Sequence, residues 1–210
     1  MNTLSQILEH KIVAIIRGAN PPDVLKIVNA LYEGGIKVLE VTLNSANALE
    51  VIKQLSETMK DKILIGAGTV LDVKMTRSAV NAGAMFIISP NMNSEVIKTT
   101  KGLGAVSIPG AYTPTEIVHA YSSGGDIIKV FPASSNVNYI KEIRAPLPHI
   151  PLMPTGGITL ENIGEFQKAG AVAFGIGTAL VNTKEKISEA YLRQLTERAQ
   201  QFVQIITNLQ

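Results

Sequence analysis

Residues 126–131 read DIIKVF: after Asp126 comes a short apolar run, rich in β-branched residues, with Lys129 at its middle. Successive side chains of an extended strand point to opposite faces, so Lys129 shares its face with Ile127 and Phe131. The other face carries Ile128. A lysine at the centre of such a run points into whatever space the first face encloses.

Residues 38–43, VLEVTL, show the same arrangement with a carboxylate. Leu39 and Val41 fall on one face and suit packing against helices, which directs Glu40 to the opposite side of the strand. If the sheet closes on itself, Glu40 and Lys129 share one enclosed space.

Eight apolar runs of this kind recur at intervals of roughly 20 to 26 residues, with helical periodicity between them. The predicted strands are Ile12–Ile16, Val38–Thr42, Ile63–Ile65, Met85–Ser89, Ala105–Ile108, Ile127–Phe131, Leu152–Met153 and Val172–Ile176. The alternation predicts an α/β fold, a (β/α)8 TIM barrel forming one domain over residues 1–210. An open doubly wound sheet is the alternative. We expect an extra N-terminal helix over Leu4–His10 and a long last helix over Lys184–Leu209.

The composition argues against a disulfide-stabilised, a membrane-spanning and a nucleic-acid-binding protein. The chain has 210 residues, 46% of them hydrophobic, a formal net charge of +2 and no cysteine. One core can form without disulfides, and the basic residues are scattered among acidic ones. Every apolar run is shorter than the roughly 20 residues that a membrane span needs, and no signal peptide is recognisable. We therefore predict a soluble, cytoplasmic protein that binds neither nucleic acid nor a membrane.

In a barrel of this kind, reacting groups project from the carboxyl ends of the strands. The candidates there are Arg17, Glu40, Thr69, Pro90, Gly110, Lys129, residues 155–157, Gly177 and Thr178. An enclosed lysine near another cation, such as Arg17, is pushed towards the free amine, which can add to a carbonyl. We therefore predict that Lys129 adds to a carbonyl substrate and forms a Schiff base, with Glu40 transferring protons. The alternatives are a structural ion pair between Lys129 and Glu40, and a structural salt bridge of Arg17.

Two glycine-containing loops follow the seventh and eighth predicted strands, at residues 154–158 (PTGGI) and 175–179 (GIGTA). Each alone could be only a tight turn. In barrels, these two loops commonly bind phosphate through backbone N–H groups. Together they predict a phosphate site made by Gly156, Gly157, Gly177 and the hydroxyl of Thr178.

The sequence argues against several rival chemistries. The three histidines, His10, His119 and His149, lie away from the predicted carboxyl strand ends, so we predict no metal and no cofactor. Residues 66–69 (GAGT) lack the full fingerprint of a dinucleotide-binding loop. Two functional alternatives stay open: a phosphate-binding isomerase, epimerase or decarboxylase without a covalent intermediate, and a non-catalytic barrel that binds phosphorylated metabolites.

Six motifs resemble those of the 2-keto-3-deoxy-6-phosphogluconate aldolase / 4-hydroxy-2-oxoglutarate aldolase family, in order and over nearly the whole chain. They are residues 38–43 (VLEVTL), 65–70 (IGAGTV), 88–90 (ISP), 108–110 (IPG), 128–132 (IKVFP) and 154–158 (PTGGI). The resemblance implies a class I aldolase, often a homotrimer. Such an enzyme splits a phosphorylated 2-keto-3-deoxy sugar acid into pyruvate and glyceraldehyde 3-phosphate.

The resemblance also implies roles for individual residues. Lys129 corresponds to the Schiff-base lysine and Glu40 to the general acid/base. Thr69 and Thr155 correspond to residues around the pyruvyl carboxylate and the substrate hydroxyls, and Phe131 lines the pocket. The glycine-loop positions match the family's phosphate site, and we also count Arg17 and Pro90 among the substrate-binding residues.

One position departs from many gluconate-type members, which carry arginine directly after Leu43. This chain has Asn44 there, another predicted substrate-binding residue. The Leu43-Asn44-Ser45 sequence is more similar to the 6-phosphogalactonate branch, whereas residues 154–157 (PTGG) are more similar to the gluconate branch. The preferred substrate is therefore open between the two compounds, with 4-hydroxy-2-oxoglutarate as a further possibility.

Overall fold

The protein is a parallel α/β fold, described by a computed structural model for residues 2–133 and 136–209. The strands are β1 (Ile12–Ile16), β2 (Val38–Thr42), β3 (Leu64–Gly68), β4 (Phe86–Ile88), β5 (Val106–Ile108), β6 (Gly110–Ala111), β7 (Ile128–Val130), β8 (Leu152–Pro154) and β9 (Phe174–Ile176). The helices are α1 (Thr3–His10), α2 (Pro21–Glu33), α3 (Ala48–Thr58), α4 (Val73–Asn81), α5 (Ser94–Gly102), α6 (Pro114–Ser122), α7 (Val137–Arg144), α8 (Ile163–Lys168) and α9 (Glu189–Thr207).

The strands form two parallel sheets. Six strands make a curled sheet in the order β5-β4-β3-β2-β1-β9, and three make a second sheet in the order β6-β7-β8. One parallel bridge between Thr155 and Gly175 links the end of β8 to β9. The predicted α/β fold is therefore confirmed, whereas one continuous eight-stranded barrel sheet is not seen.

The interruption between the two sheets lies at Pro109. The fifth predicted strand pairs with β4 as far as Ile108, and the chain then pairs with β7 as the two-residue strand β6. Proline has no N–H to donate, so a sheet ladder breaks there. The carbonyl of Pro109 still accepts a hydrogen bond from the Lys129 N–H, at 2.9 Å.

Two hydrophobic clusters lie on opposite faces of the sheets. The larger one, between strands and helices, contains Leu39, Val41, Ile128 and Val130. The smaller, interior cluster contains Ile7, Val13, Val38, Leu64, Phe86, Ile88, Val106, Ile108, Ile127, Met153 and Ala173. This division confirms the predicted facing of the strands around Glu40 and Lys129. It also places α1 against the interior face, because Ile7 comes from that helix.

Helix boundaries follow local capping. The predicted N-terminal helix is confirmed as α1, where the Asn2 side chain accepts a hydrogen bond from the Ser5 N–H. The last helix begins at Glu189 rather than Lys184, because the Ser188 hydroxyl caps it by accepting from the Tyr191 N–H. None of the helices in the described ranges is both long and apolar enough to cross a membrane.

Candidate active site

Lys129 lies in the middle of β7 and is only 3% exposed. Its Nζ atom is 4.7 Å from the centroid of the Phe131 ring, which lies on the same face of the chain two residues later. Burial lowers the pKa of Lys129; the charge of Glu40 opposes this shift and that of Arg17 adds to it. Such an amine loses its proton more readily than a lysine in water, which is what addition to a carbonyl requires.

Glu40 lies in the middle of β2 and is 1% exposed. Neither carboxylate oxygen has a hydrogen-bond partner within the described part of the chain. Burial raises the pKa of Glu40, while Lys129 and Arg17 oppose this shift less strongly. A carboxyl group whose pKa is raised in this way holds a proton more readily than one in water, which suits a group that must both donate and accept a proton.

Lys129 and Glu40 do not form the direct ion pair considered as a structural alternative. Among the described residues, the salt bridges within 4.0 Å include neither side chain. Each nevertheless affects the pKa of the other, so the two groups are near neighbours in one enclosed space. Because the two side chains are not bonded to each other, both can interact with a bound substrate.

Gly68, the last residue of β3, gives the Glu40 carboxyl its space. A Cβ atom at position 68 would lie 1.6 Å from Oε1 and 2.3 Å from Cδ of Glu40, far closer than any real contact. Only glycine fits beside this carboxyl in the observed position. The motif at residues 65–70 does not by itself indicate that Gly68 packs against Glu40; the signal that could have done so is a glycine at the end of the strand beside an inward-facing glutamate.

Thr69 follows Gly68 at the carboxyl end of β3, as predicted, and is half-buried. Its backbone has φ +58°, in the left-handed region that β-branched residues rarely adopt. Such a conformation costs on the order of 1–3 kcal/mol and persists where the surrounding structure fixes it. The strained residue, Thr69, directly follows Gly68, which packs against Glu40.

Thr155 follows β8 and is buried, and its Oγ1 atom has no hydrogen-bond partner among the described residues. Gly175 of β9 lies opposite, and a Cβ atom there would be 2.3 Å from that hydroxyl oxygen. The close approach is the bridge that links the two sheets. The Thr155 hydroxyl is therefore buried against Gly175 without a partner among the described residues.

A cavity of about 620 Å³ opens beside these strand ends. The predicted site residues in its wall are Arg17, Phe131, Thr155, Gly156, Gly157, Gly177 and Thr178. Lys129 and Glu40 are not in the wall; they lie deeper in the sheets, and the Phe131 ring joins Lys129 to the cavity. Thr69, Pro90 and Asn44 follow their strands at the same ends without lining this cavity.

The loop that carries Arg17 is held from two sides. Thr183 Oγ1 donates a hydrogen bond to the Arg17 carbonyl at 2.7 Å, and the Gly18 N–H donates to Ser45 Oγ at 2.8 Å. The exposed Arg17 side chain makes no salt bridge within the described ranges, contrary to the structural alternative.

Asn44 is exposed in the loop that also contains Ser45. Lys184 lines the cavity too, and its exposed loop position gave no sequence signal.

Comparisons with known proteins show the family to which the chain belongs. A family model for the KDPG and KHG aldolases matches residues 4–196. The chain is 35% identical over 178 residues to the 2-dehydro-3-deoxy-6-phosphogalactonate aldolase of Escherichia coli (strain K12), covering 84% of this chain and 87% of that one. It is 32% identical over 209 residues to the 2-dehydro-3-deoxy-phosphogluconate aldolase of Treponema pallidum (strain Nichols), covering 98% and 99%.

A solved structure is also similar. It is that of a KDPG aldolase from Legionella pneumophila with pyruvate captured as a covalent carbinolamine intermediate. The TM-score is 0.85 at 29% identity, over 95% of this chain and 97% of that one. The family model and these named relatives show that the chain is an aldolase, a carbon–carbon lyase. The chain belongs to the KDPG and KHG aldolase family.

Proposed function

We propose that this chain is a class I aldolase that cleaves 2-keto-3-deoxy-6-phosphogluconate to pyruvate and glyceraldehyde 3-phosphate. The observation that carries the proposal is the buried Lys129 amine, with its lowered pKa, near the unpartnered and protonatable Glu40 carboxyl. The same reaction class would include cleavage of 4-hydroxy-2-oxoglutarate to pyruvate and glyoxylate.

In the proposed reaction, the neutral Lys129 amine adds to the C2 carbonyl, and loss of water gives an imine. Glu40 accepts the proton of the C4 hydroxyl as the C3–C4 bond breaks, which releases the aldehyde and leaves an enamine on Lys129. Glu40 returns a proton to C3, and water then hydrolyses the imine to pyruvate and the free amine. The water lost in the first step is regained in the last, so the reaction balances without a cofactor.

The walls of the cavity suit the rest of the substrate. Backbone N–H groups of two glycine loops and the Thr178 hydroxyl can surround a phosphate, while the free Thr155 hydroxyl can bind the pyruvyl part. Phe131 provides an apolar surface between Lys129 and the cavity. Arg17 adds a positive charge for the carboxylate or hydroxyls.

The 6-phosphogalactonate compound is the second candidate substrate, favoured by Asn44 in the exposed loop after β2. An amide can donate to and accept from hydroxyls of either orientation, whereas arginine only donates. We expect cleavage of both compounds, with kcat/KM values within about a hundredfold. Asn44→Arg should shift the ratio towards the gluconate compound, and an unchanged ratio of pyruvate release would remove this residue from the specificity argument.

We further infer that the two sheets are arcs of one closed (β/α)8 barrel in a single domain. The first strand pairs with the last, β8 is bridged to β9, and β6 follows β5 after a single proline. The enzyme would be cytoplasmic, as its composition predicts, and homotrimeric, as its resemblance to the family implies.

Borohydride reduction in the presence of pyruvate tests the mechanism. We expect a stable three-carbon acid adduct at Lys129 by peptide mass mapping, lost in Lys129→Ala and retained in a variant of an exposed lysine, Lys141→Ala. An adduct at another lysine, or active enzyme without any adduct, would favour the non-covalent isomerase or epimerase alternative. Ligand binding without turnover would favour a binding protein.

A further inference from the structure

The cavity wall has an uneven charge. Of the residues that line it, Arg17 and Lys184 are the ionisable ones, and both are cations; the described wall contains no carboxylate. Neither side chain lies within 4.0 Å of a carboxylate elsewhere among the described residues. Two unpaired positive charges facing one concave space attract an anion and raise its local concentration.

The two cations lie near different parts of the site. The charge of Arg17 acts on both Lys129 and Glu40, which places it near the reacting pair. Lys184 comes after β9, on the loop that begins with the predicted phosphate residues Gly177 and Thr178. The Leu180 and Val181 N–H groups both donate to the Gly177 carbonyl, so the chain turns tightly between the phosphate residues and Lys184.

The loop around Lys184 is fixed by its own side chains. Asn182 Oδ1 accepts from the Lys184 N–H at 3.3 Å, and Asn182 Nδ2 donates to Glu185 Oε1 at 2.7 Å. Thr183 ties the same loop to the Arg17 carbonyl. The nearby carboxylate of Glu185 is thus engaged by Asn182, and the loop holds Lys184 at the cavity.

We propose that Lys184 binds the phosphate of the substrate and sets the preference of the enzyme for phosphorylated over unphosphorylated 2-keto acids. This inference rests on the proposed function, because it assigns the phosphate end of the same cavity. A lysine ammonium is a compact point charge suited to phosphate, and it supplements the backbone N–H groups and the Thr178 hydroxyl.

The first test compares wild type, Lys184→Met and the matched control Lys186→Met, an exposed lysine two residues later that does not line the cavity. For 2-keto-3-deoxy-6-phosphogluconate, KM should rise by about tenfold or more in Lys184→Met, with kcat changed much less. The effect on 4-hydroxy-2-oxoglutarate should be far smaller. Lys186→Met should behave as wild type, and Lys184→Arg should recover most of the affinity.

The second test does not depend on turnover. Inorganic phosphate should raise the Tm of wild type and of Lys186→Met, and this shift should be reduced in Lys184→Met and weakened by added salt. Equal phosphate shifts in all variants, or an equal loss of kcat/KM for both substrates, would overturn the role of Lys184. Wild type that binds phosphate through Lys184 but cleaves neither substrate would contradict the proposed function instead.

Discussion

The central residues of the site carry an electrostatic cost that the fold does not relieve. Glu40 is buried with both oxygens unpartnered, and Lys129 is buried beside an aromatic ring rather than in a salt bridge. Charged groups in such surroundings normally destabilise a protein. Their presence on the interior face therefore favours a chemical role over a structural one.

Removing the Glu40 charge should lower activity and raise stability. Glu40→Gln should keep the fold and lose turnover by about 10²- to 10⁴-fold, because positioned proton transfer contributes that much. Below about pH 4.5 the wild-type carboxyl is protonated in both folded and unfolded chains, so its burial costs little. As pH rises from there to the raised pKa of the folded state, the unfolded chain loses its proton first, and the free energy of unfolding falls.

The Tm of Glu40→Gln relative to wild type should therefore increase between pH 4.5 and pH 8. Thermal unfolding across this range measures the difference, with a substitution of the exposed Glu57, Glu57→Gln, as the control. A Tm difference independent of pH would mean that the burial of Glu40 does not penalise its charged form. Near-normal turnover would move the acid/base role to another group.

Gly68→Ala should impair the function of Glu40 without changing Glu40 itself. The new methyl group would overlap the carboxyl, forcing it out of position, so turnover should fall while pyruvate is still trapped on Lys129. Glu40→Asp shortens the side chain by one methylene, so the double variant should recover part of the loss. Gly102→Ala is the control, since nothing lies within 4 Å of a Cβ there. Normal kcat in Gly68→Ala would show that the carboxyl has other usable positions.

At this scale, strand periodicity was enough to predict the facing of Glu40 and Lys129, because a two-residue repeat assigns faces directly. It could not predict Gly68 or Lys184. The close packing of Gly68 on Glu40 depends on the register between β2 and β3, where Thr42 pairs with Gly68. The position of Lys184 depends on a loop fixed by Asn182 and Thr183.

Of the helices and strands, α1 has the clearest structural role, which is to cover the interior core. Ile7 is fully buried in the interior cluster, with Val13 and Val38 at the amino-terminal parts of the strands. The helix therefore covers the interior core at the side opposite the cavity. The sequence predicted this helix but not what it covers, because its contacts are formed only once the sheet has curled.

Ile7→Ala should destabilise the protein by about 2–5 kcal/mol, since it removes a fully buried side chain and leaves a cavity in the interior core. Urea unfolding should show a lower midpoint with little change in slope. The half-exposed Leu49→Ala, outside both clusters, should change the free energy of unfolding much less. Equal effects of the two substitutions would mean that α1 is not part of the core.

Local sequence predicts the limits of some strands but not of those that depend on pairing with a neighbour. β1 matches its predicted limits because Lys11 and Arg17 flank its apolar run, and β2 also matches its predicted limits. β3 extends to Gly68, beyond the predicted Ile65, since pairing with β2 continues through small residues that carry no strand signal. The brief strand β6 exists only through its pairing with β7, which no local pattern can indicate.

For the whole molecule, the order of the strands says most about how the sheet is built. Neighbours along the chain are neighbours in the six-stranded sheet, and the last strand returns to pair with β1. The alternation of strands and helices predicted the parallel α/β class. It could not decide between one closed sheet and two arcs, because closure depends on a few hydrogen bonds at Pro109 and at the Thr155–Gly175 bridge.

Hydrogen exchange can decide whether the two sheets behave as one barrel. If they close into a single cooperative domain, amides of β7 and β8 should exchange through the same global opening as those of β1, β2 and β3, with matching free energies. The shared interior core gives the reason, since Ile127, directly before β7, and Met153 of β8 pack in one cluster with Val13, Val38 and Leu64. Mass-spectrometric exchange under native conditions, with increasing denaturant, measures these free energies peptide by peptide. Peptides around residues 128–154 that open at clearly lower denaturant than those of β1 to β3 would show that the three-stranded sheet is a separate unit and that the barrel is not closed cooperatively.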